Sequence, residues 1–254
     1  MIKSSPSSES ISKLLDEILN DSDELIKSLP GKLKKFDVLS ISLFFTLIEI
    51  TTDVNYLVKV KRFISIPSLV RSFMDTHVDL LLITGDSENV YPLLYKVYDG
   101  ERKVLKAKID PLHSSLFITD SNDLETIKKQ IIEKDKEIIE LEKLVGSNKL
   151  RTIKDKYERV NLLWFYKTIY NDLCAHTHNA LNSIEHRHID QVPDDKILLR
   201  YLQSNDSKDF YKYILTLLTH FYSSVEVINS ALDLRQDFIV ERIQKRINEI
   251  INPT

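Results

Sequence analysis

The residues best suited to chemistry lie together near the middle of the chain, in the run Trp164-Phe165-Tyr166-Lys167-Thr168-Ile169-Tyr170-Asn171-Asp172-Leu173-Cys174-Ala175-His176-Thr177-His178-Asn179. On a helix, Asn171, Cys174, Ala175 and His178 share one face, because the later three lie three, four and seven positions beyond the first. That face combines an amide, a thiol and an imidazole, with Tyr170 beside it. His176 lies roughly 200° around the same helix from His178 and serves a different surface. The same pattern has a purely structural use. Small residues let a second helix approach closely, and His178 then sits hydrogen-bonded inside the contact.

A second segment, Pro67-Ser68-Leu69-Val70-Arg71-Ser72-Phe73-Met74-Asp75-Thr76-His77-Val78-Asp79-Leu80-Leu81, places Asp75 one helical turn after Arg71. Arg71 and His77 are also near in sequence, but on one continuous helix they diverge by about 120°. His176, His178, His186, His188 and Asp190 are the set from which a zinc or nickel site could be drawn. His176 and His178 diverge on a helix, so no metal and no other cofactor is expected. The chain has no glycine-rich phosphate loop, no Gly-x-Ser-x-Gly and no His-Glu-x-x-His.

The elements that must position these groups read as helices throughout. Only 4 Gly and 7 Pro occur in 254 residues, too few turn formers for an all-β chain. The first helix is expected over about Glu9 to Leu29, with Ile11, Leu14, Leu15, Ile18, Leu25 and Leu29 inward. The second is expected over Leu33 to Phe63, with Phe36, Leu39, Leu43, Leu47, Ile50, Val54, Leu57 and Val58 inward. A third begins near Pro67, which suits a first turn, and stops at Gly85. A fourth covers about 86–109, and 110–120 reads as a loop.

Helix five, Asn122 to Val145, carries a near-heptad seam of Leu124, Ile127, Ile131, Ile138, Leu141 and Val145, broken by Lys134. The seam needs a cover, either the chain's own Leu150 to Leu162 or a second copy, and the segment reads as a projecting helical hairpin. Helix six is expected from about Leu150 to Leu181, straight or with a bend. Residues 182–206 are irregular, with Ile197 to Leu202 readable as a strand or a helical turn. From Ser207 to Ile251 no Gly or Pro occurs, so a single helix of roughly 65 Å fits, with a bend near Asn229 to Asp233. The basic end with Arg235, Arg242, Lys245 and Arg246 reads as a solvated helix terminus. The fold class is therefore all-α. It is a helical bundle with a tail and helix at 1–32, a domain at 33–254, an inserted arm at about 121–149 and a long C-terminal helix.

Hydrophobic residues form 43 % and charged residues 29 % of the chain, an ordinary globular balance. A formal net charge of −3 supplies no global field to hold nucleic acid, so such contact needs a local patch. One cysteine, Cys174, excludes an intramolecular disulfide and a cysteine-based zinc cage. Met1 to Ser10 lacks the apolar core of a signal peptide, and the apolar stretch Ile41 to Ile50 is too short to span a bilayer. The reading is a cytoplasmic protein with no membrane partner.

The Tyr170-Asn171-Asp172-Leu173-Cys174 run with its following His178, and the Arg71/Asp75 pair, resemble the signature helices of an uncharacterised bacterial domain-of-unknown-function family, DUF5677-like. That family is similar in turn to the HEPN superfamily of helical bundles. The resemblance covers about residues 35–240. It implies a homodimer, RNA as partner, and metal-independent endoribonuclease activity within a toxin or phage-defence system, with an antitoxin or another defence component as partner. It equally admits a catalytically inactive, dimeric binding or regulatory module. The superfamily motif is an Arg, a polar residue and a His. In this chain the Arg position is held by Asn171, the polar neighbour is Asp172, and the His is His176 or His178. Asn171 cannot neutralise phosphate and Asp172 repels it. The implied replacement is Arg71, oriented by Asp75, if its helix packs beside the one carrying Cys174 and His178.

Overall fold

The computed structural model describes residues 6–110, 121–146, 150, 152–178, 189–192, 196–199 and 207–251. The chain divides into two units, Met1–Thr84 with Tyr157–Thr254, and Gly85–Lys156. The architecture is all-α, as the helical periodicity predicts. The exception is a small antiparallel pair, β1 (Ile189–Val192) and β2 (Lys196–Leu199), with Ile189 opposite Leu199. The strand alternative at Ile197 onward is thus the one adopted as far as Leu199. No helix among the described residues is long and apolar enough to cross a membrane.

In the first unit, α1 (Ser8–Lys27) starts at Ser7, whose hydroxyl accepts from the Ser10 amide at 3.2 Å, satisfying one of the unpaired first-turn donors. Its stripe of Ile11, Leu14, Leu15, Ile18 and Leu25 is buried as the spacing predicts. α1 packs on α2 (Lys35–Lys59) and on the last helix, α10 (Asp237–Ile251). Polar joints fix both contacts. Ser12 donates to Asn55 at 2.9 Å and Asn55 to Asp16 at 2.7 Å. Buried Asp21 holds Arg242 and Arg246, each at 2.9 Å. These two arginines also reach Glu24 and Glu17, so the basic C-terminal segment is an ion-paired clamp on α1 rather than a solvated terminus.

The inward face of α2 differs from the expected stripe. Ile41, Phe44, Leu47, Thr51, Val54, Asn55 and Val58 are buried, whereas Phe36, Leu39, Leu43, Ile50 and Leu57 are only half-buried. This helix is apolar on nearly every side, so periodicity alone does not choose which side turns in.

Three helix ends fall where no glycine or proline marks them. α2 stops at Lys59 and not at Phe63, because Lys61 adopts φ 56° and the Arg62 and Lys61 amides bond back to the Leu57 and Val58 carbonyls. The helix expected from about Leu150 to Leu181, straight or bent, is α6 (Ile153–Arg159), a full break, and a second rod. Asn161 has φ 61°, with Leu162 bonding back to Tyr157. The long C-terminal helix divides within the bend expected near Asn229 to Asp233, into α9 (Ser207–Ala231) and α10, separated at Asp233 with φ 48°, where Leu234 bonds back to Asn229. Each is the same left-handed cap, more usual with glycine and here built on a side chain that bears strain.

α3 (Ile66–Gly85) follows a short 3₁₀ turn, Phe63–Ser65, and carries Pro67 in its first turn. It buries Val70, Phe73, Met74, His77 and Val78. In the second unit, α4 (Val90–Lys108) packs along α5 (Ser121–Val145). Ile127, Ile131, Ile138, Leu141 and Val145 are buried. The seam is therefore packed against α4, a cover from within the chain that precedes it in sequence. Lys134 interrupts the seam because it is used there. Its ammonium lies 4.0 Å from the centre of the Tyr98 ring and pairs with Glu137 at 2.8 Å and Glu101 at 3.0 Å.

Candidate functional site

The rod that carries the central motif has three continuous parts, α7 (Leu163–Phe165), a π-helical stretch Tyr166–Tyr170, and α8 (Asn171–Thr177), with His178 as the closing residue. The wider π turn changes which residue faces inward. Buried Phe165 and Tyr170 are five apart, where an uninterrupted α-helix would turn Ile169 in after Phe165. The π stretch thus aims Tyr170 at α3. Its ring packs against Tyr157 and Tyr166, with centroids at 5.0 and 5.3 Å.

The Tyr170 hydroxyl joins the charged pair on α3. It accepts from Arg71 Nε at 3.4 Å and donates to Asp75 Oδ2 at 3.3 Å, and the guanidinium lies 5.7 Å from the ring centroid. Burial pushes the Tyr170 hydroxyl up in pKa against the opposing pull of Arg71, so it stays protonated and keeps its proton directed at Asp75. Arg71 Nη1 meets His178 Nε2 at 3.3 Å. A guanidinium only donates, so Nε2 accepts and the ring proton resides on Nδ1. Cys174 lies in the field of Arg71. Burial raises its pKa more strongly than the charge of Arg71 and the neighbouring Tyr170 hydroxyl lower it. The thiol therefore remains neutral, unlike an activated nucleophile.

The structure brings together Arg71, Asp75, Tyr170, Cys174 and His178. It places the other three candidates elsewhere. Asn171 is exposed and its amide donates back to the Lys167 carbonyl at 3.3 Å. Asp172 faces α9, where its carboxylate accepts from Lys212 at 2.6 Å and from the Tyr213 hydroxyl at 2.7 Å. Burial would raise its pKa, but those two hydrogen bonds outweigh it and hold the carboxyl below the ordinary value. The His176 ring stands edge-on to Tyr213 with centroids 5.6 Å apart, on the same α9 side as Asp172. His178 and His176 thus serve two surfaces, one toward α3 and one toward α9.

In the sequence Tyr170 reads only as a neighbour of the face, and Lys212 and Tyr213 carry no signal. These two lie in a long helix without punctuation, and nothing local marks them as partners of Asp172. His186 and His188 of the considered metal set lie outside the described residues, and among the described residues no three His, Cys, Asp or Glu side chains form a group that could hold a metal ion.

Chemically, the α3 side offers a fixed cation beside an imidazole, with a tyrosine and a carboxylate that orient the cation. A guanidinium suits an oxyanion, and an imidazole moves protons near neutral pH. No curated protein and no solved structure matches the chain. The sequence model of a family of unknown function, DUF5677, matches residues 37–197, which include Arg71, Asp75, Tyr170 and His178. The chain belongs to the DUF5677 family.

Proposed function

We propose that this protein is a HEPN-like, metal-independent RNA endonuclease of a toxin or phage-defence system. The observation that supports the reading most is the meeting of Arg71 and His178, which are 107 positions apart in sequence and 3.3 Å apart in space. The superfamily motif needs a cation and a histidine, and Asn171 cannot be the cation. Arg71 supplies it from the neighbouring helix. In the reaction, Arg71 binds a phosphodiester and His178 Nε2 takes the proton of the adjacent 2′-hydroxyl. The 2′-oxygen attacks phosphorus, the bond from phosphorus to the 5′-oxygen breaks, and that oxygen takes a proton from water. The products are a 2′,3′-cyclic phosphate end and a 5′-hydroxyl end.

Purified protein incubated with total RNA, with and without a chelator, tests this directly. Cleavage unaffected by chelation, leaving cyclic-phosphate ends, is the expected outcome. Cleavage abolished by chelation refutes the metal-independent step.

A second reading is a catalytically inactive, dimeric binding or regulatory module. The placement of Asn171 and Asp172 favours it, since the motif's first two positions are turned to other partners. The homodimer is common to both readings, and α2 supports it. Val38, Phe45, Tyr56 and Val60 are 48, 38, 64 and 45 % exposed and lie along one helical face, on a helix apolar enough to be covered all round. Light scattering is expected to give twice the chain mass, reduced to one chain mass by Phe45→Asp with Tyr56→Glu. A monomer mass for the unaltered protein at all concentrations removes the dimer.

A further inference from the structure

The contact between Arg71 and His178 has a mechanistic consequence of its own. Nε2 is the nitrogen the reaction needs, because Nδ1 already holds the ring proton. Yet the Nε2 lone pair is directed at the Arg71 guanidinium. A base whose lone pair accepts from a guanidinium cannot at the same time accept the proton of a hydroxyl. Arg71 is itself anchored at its other end, through Nε to Tyr170, whose hydroxyl is tied to Asp75. So Arg71 keeps its station, while the His178 contact is exposed and is the one that can be exchanged.

We propose that this contact is an autoinhibitory cover, and that an oxyanion taken up by Arg71 uncovers the base. The phosphodiester competes for the Nη1 N–H that meets His178, since an anionic oxygen is a stronger acceptor for a guanidinium than a neutral imidazole nitrogen. His178 then turns its lone pair to the substrate. The proton carrier is thereby available only when phosphate is in place, which links binding to activation. The inference rests on the phosphate-and-imidazole reading of this site, but its test does not depend on RNA cleavage.

The test is the rate at which diethyl pyrocarbonate acylates His178, followed by peptide mass spectrometry, with His176 as an internal reference. Ligands ordinarily protect a site residue from such a reagent. Here inorganic phosphate, compared with chloride at equal ionic strength, is expected to accelerate acylation of His178 by about tenfold, the worth of a hydrogen bond to a charged group. His176 is expected to be indifferent. Arg71→Gln is expected to react quickly with or without phosphate. A His178 rate that phosphate lowers or leaves unchanged overturns the cover, and so does a slow rate in Arg71→Gln when the wild-type protein is also slow. Absence of RNA cleavage alone bears on the proposed function and leaves this measurement intact.

Discussion

His178→Ala is expected to lower the rate of RNA cleavage by about 10²–10⁴-fold, the usual worth of a proton-transferring side chain, while leaving the fold in place. The stability half of the expectation follows from exposure. His178 is a surface residue at the end of α8, and removing such a side chain changes stability by about 0.5 kcal/mol or less. Arg71→Lys is expected to cost about ten- to a hundredfold. A lysine keeps the charge but cannot hold Tyr170 through one nitrogen while presenting others to phosphate. His176→Ala leaves the rate near wild type, because that ring packs on Tyr213 away from Arg71. If His178 and Arg71 were instead only members of a structural network, His178→Ala would lower the melting temperature and there would be no cleavage to lose. Measuring melting temperature and cleavage on all three variants separates the accounts. An unaltered rate in His178→Ala ends the assignment.

The second large effect is acid destabilisation through two histidines of the first unit, buried His77 and half-buried His220. His77 on α3 and His220 on α9 have ring centroids 4.9 Å apart. Ser224 donates to the His220 carbonyl at 2.8 Å and therefore accepts from His77 Nδ1 at 2.7 Å, which fixes the neutral tautomer of His77. Burial lowers the pKa of His77 well below 6.5, with the neighbouring His220 adding to the effect, and burial lowers that of His220 to about 4. In the unfolded chain both titrate near 6.5. Between about 6.5 and about 4, the unfolded state binds more protons than the folded state, so stability is full above pH 6.5 and falls as pH drops through that window. For His220 alone the loss across the window is about 3 kcal/mol, and His77 adds to it in the same direction.

Urea unfolding at pH 7.5 and pH 5 measures the first part of this loss before most carboxylates titrate. His220→Leu is expected to be less pH-sensitive over the same interval. A wild-type urea midpoint that does not move between the two pH values shows that neither histidine is held neutral by burial.

Within one helix, spacing alone determines geometry, because the rise and turn per residue are constant. On that ground the sequence by itself determined the all-α class, the buried stripe of α1, the placement of Asp75 one turn after Arg71, and the divergence of His176 from His178. It did not determine where α2 and α6 end, since Lys61 and Asn161 enter the left-handed region without the glycine that usually marks such a stop, whereas the break after α9 falls at Asp233, inside the bend expected near Asn229 to Asp233. Nor did it determine which side of the uniformly apolar α2 faces inward, or that the π turn directs Tyr170 at α3.

The tertiary structure alone decided that Arg71 meets His178, that Lys212 and Tyr213 take Asp172, and that Lys134 belongs in the seam between α4 and α5. These are contacts between helices, set by how side chains from distant parts of the chain fill shared space and satisfy one another's charges. No periodicity within a single helix encodes that fit.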